Sequence, residues 1–167
     1  AAFIAMERHD GCREGGKGYP CRALRSREYL YIRNYEPARW PAGNPDREFC
    51  ARYIPFGEVD SSPTKQLLMD NEDKIGFKRF HSLAFAKRPS EELYSVEKDP
   101  SQLVNLAGNP DFSRVQKKLS DQLHGEFSDL LSYMNKEAIN ENVIQTWTST
   151  NNGRRQYLFG PRRSEFQ

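Results

Sequence analysis

Apolar and polar positions follow two different periods along this chain. A period of two comes first, in Ala2-Phe3-Ile4-Ala5-Met6, in residues 20–26 and in residues 29–34, where Leu30 and Ile32 alternate with Tyr31 and Arg33. This predicts a buried strand over 2–6 and a two-stranded hairpin with Arg27-Glu28 near its junction. A further half-buried strand is predicted over Glu92–Val96, which is rich in β-formers. The period then becomes helical. Phe112, Val115, Leu119, Leu123, Phe127, Leu130, Leu131 and Met134 fall on one stripe, and Arg114, Lys117, Lys118, Asp121 and Asp129 fall off it. A long helix from about Asp111 to Met134 follows, begun by Asn109-Pro110 and buried along its stripe. Two shorter helices are expected. One has Ser62 as cap and Pro63 in its first turn and runs to about Asn71. The other carries Phe80, Leu83 and Ala84 and ends before Pro89. Asp99-Pro100 stops the strand at Glu92 and is placed to cap a short helix with Leu103, Leu106 and Ala107, ended by Gly108.

Residues 10–19 read as a polar, glycine-rich loop. Residues 35–60 hold Pro37, Pro41, Gly43, Pro45, Pro55 and Gly57. So long an irregular stretch in a compact domain is usually functional or draped over a neighbour. After Asn135 the chain is polar, with Tyr157-Leu158-Phe159 as its strong apolar cluster. The expected class is α+β, a small antiparallel sheet packed against one long helix.

Composition refines this picture. A length of 167 residues suffices for one domain with a core. A hydrophobic fraction of 37% and a mean hydropathy of −0.86 point to a thin core, or to a surface made to dock elsewhere. Aromatic content of 12% argues against disorder. A net charge of +2 is too small to imply nucleic acid by itself, and nucleic acid is not the expected partner. No apolar run is long enough to cross a membrane, so no membrane partner is expected, and no signal peptide stands at Ala1. The chain opens in mid-strand, as a cut fragment would.

The candidate chemistry is sparse. Cys12 and Cys21 flank Gly15-Gly16-Lys17-Gly18 and are read as a loop disulfide or as buried thiols. A zinc site from His9, Cys12, Cys21 and Cys50 is disfavoured, because structural zinc shows two close ligand pairs and only His9-x-x-Cys12 is present. Asp70-Asn71 reads as a helix end, and His81 and His124 sit on predicted helices. No set of catalytic or metal-binding residues emerges. Glu7-Arg8-His9-Asp10, at the end of the opening strand, fits either a pocket rim or a solvated loop. In the tail, Arg154-Arg155-Gln156-Tyr157 and Arg162-Arg163 interleave basic and aromatic residues. They give the alternative function, a non-catalytic module binding sulfated glycan or nucleic acid. The bland counterpart is a tail that keeps the chain soluble.

The stretch Glu92-Leu93-Tyr94-Ser95-Val96-Glu97-Lys98-Asp99-Pro100-Ser101-Gln102-Leu103-Val104-Asn105-Leu106-Ala107 resembles a signature near the C-terminus of sulfatases. There the chain reads Glu-Leu-Tyr-Asp-Leu, two variable residues, Asp-Pro, then Glu-x-x-Asn-Leu-Ala. Ser95 stands where Asp is usual and Gln102 where Glu is usual. Glu7-Arg8-His9 followed by Tyr19-Pro20-Cys21-Arg22-Ala23-Leu24-Arg25 resembles the sulfamidase-like branch, and Tyr29 to Asn34 continues that pattern. The resemblance runs from about Phe3 to Leu123.

The resemblance implies the C-terminal part of an enzyme that hydrolyses sulfate esters or N-sulfate groups on a saccharide. Residues 1–10 would end the large alkaline-phosphatase-like α/β domain, its strand joining that larger sheet. Residues 11–134 would form the C-terminal subdomain, and 135–167 a tail or strap. Glu7 and His9 would face the substrate pocket and read the sugar. The partners would be the remainder of the catalytic domain and a sulfated saccharide. Calcium and a formylglycine nucleophile would belong to the parent enzyme, in a secreted, periplasmic or lysosome-like compartment, with no catalytic residue, metal ligand or cofactor in this chain. Cys21-Arg22-Ala23-Leu24-Arg25 fits the loosest form of the formylglycine motif, Cys-x-Ala-x-Arg, but lies in a predicted strand. The true motif needs a turn leading into a helix.

Overall fold

The alternating segments at the start of the chain and at Glu91 pair into one antiparallel sheet. The computed structural model describes residues 1–7, 11–46 and 54–138, the last of these with side chains to residue 128. Strands β1 (Ala2–Met6), β2 (Cys21–Arg25), β3 (Tyr29–Asn34) and β4 (Glu91–Ser95) lie in the order of the sequence. Two compact units are distinguished, Ala1–Leu123 and His124–Gln167.

Ser26 makes the hairpin turn between β2 and β3. Its backbone N–H donates to the Tyr29 carbonyl at 2.8 Å, and its Oγ accepts from the Tyr29 N–H at 2.9 Å. This sets Arg25 opposite Leu30, and the register then places Leu24 opposite Tyr31 and Tyr31 opposite Leu93. Leu24, Tyr31 and Leu93 are fully buried and share one face. Helix α3 (Ser113–Ala138) supplies cover for that face up to Leu123. Phe112, just before it, meets Tyr29 edge to face at 6.5 Å, and Gln116 Nε2 donates to Glu91 at 2.9 Å. Leu119 and Leu123 are buried on the same stripe. The predicted α+β arrangement of small sheet and long helix is thus present. Asn109 starts this element as expected, its side chain accepting from the Asp111 N–H at 3.0 Å. In the second unit the helix continues from His124, with Ser128 Oγ 3.5 Å from His124 Nε2.

A second cluster forms where the sequence showed only an irregular stretch. Ala42, Phe56 and Phe85 are buried together, with Trp40, Leu68 and Met69 against them. Phe56 stacks on Phe85 at 4.5 Å between ring centres. The short helices α1 (Pro63–Met69) and α2 (Lys78–Phe85) carry this cluster. Ser62 caps α1 as predicted, accepting from the Lys65 N–H at 3.1 Å. Lys65 is buried and fastens the loop before it, its Nζ donating to the carbonyls of Phe56 at 2.9 Å and Val59 at 2.7 Å. Gly43 sits at φ +95°, where a Cβ would lie 2.7 Å from Cys12 Sγ and 2.8 Å from the Gly57 nitrogen.

Two expectations are corrected. Residues 99–107 form turns rather than a helix. Gln102 adopts φ +55°, outside the helical region, and Asp99 Oδ2 accepts from the Val104 N–H at 2.8 Å. β1 is not buried: among the described residues it is the sheet's edge, paired with β2 alone, and Ile4 and Met6 are exposed. An apolar alternation reports a strand but not its place in the sheet. Residues 11–19 form the expected loop, which buries Cys12, Arg13 and Tyr19. Cys12 and Cys21 are not joined to each other, which leaves the thiol reading.

Candidate functional site

β1 delivers Glu7 to the end of the sheet, where two bonds hold it. Its carbonyl accepts from the Tyr19 N–H at 2.6 Å, which brings residues 18–20 back alongside. Its carboxylate pairs with the Arg22 guanidinium. Arg22 also donates to the carbonyl of Cys21 at 2.9 Å and that of Met6 at 3.3 Å. Glu7 is therefore clamped by the strand next to it.

The register builds a charged row around this clamp. Ala5 lies opposite Arg22, Arg22 opposite Arg33, and Arg33 opposite Glu91. Successive side chains of a strand point to opposite faces, so these four share one face, that of Leu24 and Tyr31. Arg33 Nη1 is 3.7 Å from Glu91 Oε1. Glu91 also accepts hydrogen bonds from the Tyr31 hydroxyl and from Gln116. The half-exposed Tyr35 ring lies 5.9 Å from the guanidinium carbon of Arg22 and 5.9 Å from that of Arg33.

The opposite face of the sheet holds a buried polar group. Glu92 accepts from Asn34 Nδ2 at 2.7 Å and from the Tyr94 hydroxyl at 2.5 Å. The Tyr19 hydroxyl is buried without a hydrogen-bond partner. Burial, and then the nearby Glu92 carboxylate, push its pKa up to about 12. Burial, followed by the hydrogen bond to Glu91, likewise pushes Tyr31 up to about 12. The Tyr94 pKa is raised by burial and then by Glu92, and that of the Cys21 thiol by burial. Cys21 opens β2, a strand, and its thiol is disfavoured as a thiolate.

His9, the second residue expected to read a sugar, lies outside the described residues, as do Cys50 and the tail arginines Arg154, Arg155, Arg162 and Arg163. Among the described residues no group of three or more His, Cys, Asp or Glu could hold a metal ion. No helix among them is long and apolar enough to cross a membrane.

The chain is 31% identical over 104 residues to a protein of Formosa agariphila named Ulvan-active sulfatase. A second protein of that organism and name is 26% identical over 128 residues. The likeness supports a sulfatase relationship. The matched stretches take up 61% and 75% of this chain but only 15% and 20% of those sulfatases. No family model matches.

The residues missed as a site are Arg33 and Tyr35, and Arg22 as the clamp on Glu7. A signal for them existed. Once the hairpin places Arg25 opposite Leu30, Arg22 must stand opposite Arg33.

Proposed function

We propose that this chain is the C-terminal part of a sulfatase that hydrolyses sulfate esters or N-sulfate groups on a saccharide, of the sulfamidase-like kind. Its task is to complete the fold and to form one wall of the substrate pocket. The carrying observation is the likeness to sulfatases far longer than the matched stretch. The exposed apolar side chains of Ile4 and Met6 on β1 support the reading, since a partner surface would cover them. That surface would be the rest of the catalytic domain, with β1 extending its larger sheet and Glu7 with His9 facing the sugar. A secreted, periplasmic or lysosome-like setting goes with this reading.

Calcium and formylglycine do not fit the described residues. No carboxylate cluster is assembled there, and the cysteine nearest to the motif lies in a strand. The chain's own chemistry is recognition. Glu7 accepts hydrogen bonds from sugar hydroxyls, held in place by Arg22. The test compares the natural product with the 167-residue chain. Its intact mass should far exceed 19.4 kDa, and it should release sulfate from ulvan while the chain alone does not. Sulfate release by the chain alone, abolished by Cys21→Ala, would overturn the reading.

A further inference from the structure

The weak point of the charged row is Arg33. Arg22 and Arg33 stand directly opposite on adjacent strands and on the same face. Like charges so placed destabilise a sheet. The compensation is uneven. Arg22 is clamped by Glu7 and two carbonyls. Arg33 has Glu91 at 3.7 Å, too long for a hydrogen bond, and Glu91 already accepts from Tyr31 and Gln116. A guanidinium carries five donors in a planar fork, and the Arg33 side chain is 40% exposed. Beside it stands the half-exposed ring of Tyr35.

We propose that Arg33 and Tyr35, braced by Arg22, form a binding site for an anionic group, sulfate or carboxylate, carried on a saccharide. The fork of Arg33 meets the oxyanion with paired hydrogen bonds, and the Tyr35 ring offers an apolar face to the sugar. The bound anion offsets the repulsion between the two arginines. Because Glu7 and Glu91 balance the row, the site takes one anionic group rather than a general polyanion. The inference deepens the saccharide reading above and names what this part of the wall recognises.

The test is titration calorimetry of the 167-residue chain at low salt with three oligosaccharides: a dextran sulfate, an oligogalacturonate and a neutral dextran. One or both anionic probes should bind and the neutral one should not. Binding of the sulfate alone, the carboxylate alone or both identifies the source of the anion. Arg33→Gln should weaken binding about tenfold, the loss of one charge-assisted contact, and Tyr35→Ala should also weaken it. Arg25→Gln, on the opposite face, should not. Thermal stability of Arg33→Gln should hold or rise, since a like-charge pair is removed. No binding of either anionic probe, equal binding by Arg33→Gln, or a fall in its melting temperature with the loss of binding would overturn the proposal. No turnover is measured, so an inactive natural product would sink the sulfatase reading and leave this one standing.

Discussion

Arg13 ties the loop at residues 11–19 to residues 40, 41 and 58. It is 3% exposed. Its Nε donates to the Trp40 carbonyl at 2.8 Å, Nη2 to the Pro41 carbonyl at 2.7 Å, and Nη1 to Glu58 Oε1 at 2.7 Å. Its guanidinium carbon lies 5.7 Å from the centre of the Tyr19 ring. Arg13→Met keeps much of the volume and removes every donor. The carbonyls of Trp40 and Pro41 then each lose a donor, although Trp40 keeps the Gly43 N–H at 3.2 Å, and the Glu58 carboxylate loses Arg13. Removing one partner of a buried ion pair costs about 3–5 kcal/mol, a large part of the roughly 5–15 kcal/mol that holds a domain of this kind together. Glu58→Gln keeps an acceptor for Nη1 and leaves Arg13 its carbonyls, so it should cost only about 1–2 kcal/mol. The double variant should cost less than the sum, because the two side chains form one pair. The assay is urea unfolding of the three variants, read at the midpoint with the slope checked for constancy. An Arg13→Met loss below about 1 kcal/mol would refute the reasoning, since it would mean that water or relaxation replaces every bond. If Arg13→Met does not fold at all, a Glu58→Gln loss equal to that of Glu58→Ala would refute it as well.

Gly43→Ala should destabilise by more than about 1 kcal/mol, because it combines a left-handed backbone with the close approach of Cys12 Sγ; thermal unfolding reads this. Tyr19 and Tyr31 stay protonated in the folded chain up to about pH 12, whereas an unfolded tyrosine ionises near 10. The folded state therefore holds more protons between those values, so stability is intact below pH 10 and falls as pH rises toward 12, by up to about 1.4 kcal/mol per unit for each residue. Tyr19→Phe should flatten that alkaline fall, and at neutral pH it should leave stability unchanged or raised, since its buried hydroxyl makes no hydrogen bond.

How much of this was legible in the sequence depended on distance along the chain. The hairpin and the stripe of α3 rest on neighbours within a few positions, and the periods of two and 3.6 report them directly. The Ser62 cap was legible for the same reason. Arg13 was not. It stands in a run that reads as a polar, glycine-rich loop, and the groups that satisfy it come from Trp40, Pro41 and Glu58. Nothing near residue 13 announces those acceptors. Phe80 marks a helix correctly and yet is exposed, because an apolar residue on a short helix need not face the core. Of the expected site, Glu7 was legible as a residue but its state was not. That state depends on Arg22 across the sheet, and hence on register.

The sulfatase-like signature also changes meaning once its bonds are known. Asn105 Oδ1 accepts from the N–H groups of Leu93 and Ala107, both at 2.9 Å, and its Nδ2 donates to the Glu91 carbonyl at 3.3 Å. The Leu106 N–H adds a bond to the Leu93 carbonyl at 2.7 Å. The signature is thus a clip laid along the outer side of β4, where it occupies backbone groups that an edge strand would otherwise present. No comparable loop lies along β1 among the described residues, and that strand carries exposed Ile4 and Met6. Among the described residues the two edges of one sheet therefore differ, one covered from within the chain and the other carrying exposed apolar side chains. On the proposed reading this asymmetry puts the rest of the sulfatase on the β1 side. Glu7 emerges from that same strand, and Arg22 and Arg33 follow it across the sheet. The residues of this signature hold the fold together. Of those proposed to recognise a sugar, Glu7 and Arg22 lie toward the β1 edge that the signature does not reach, and Arg33 lies between them and β4.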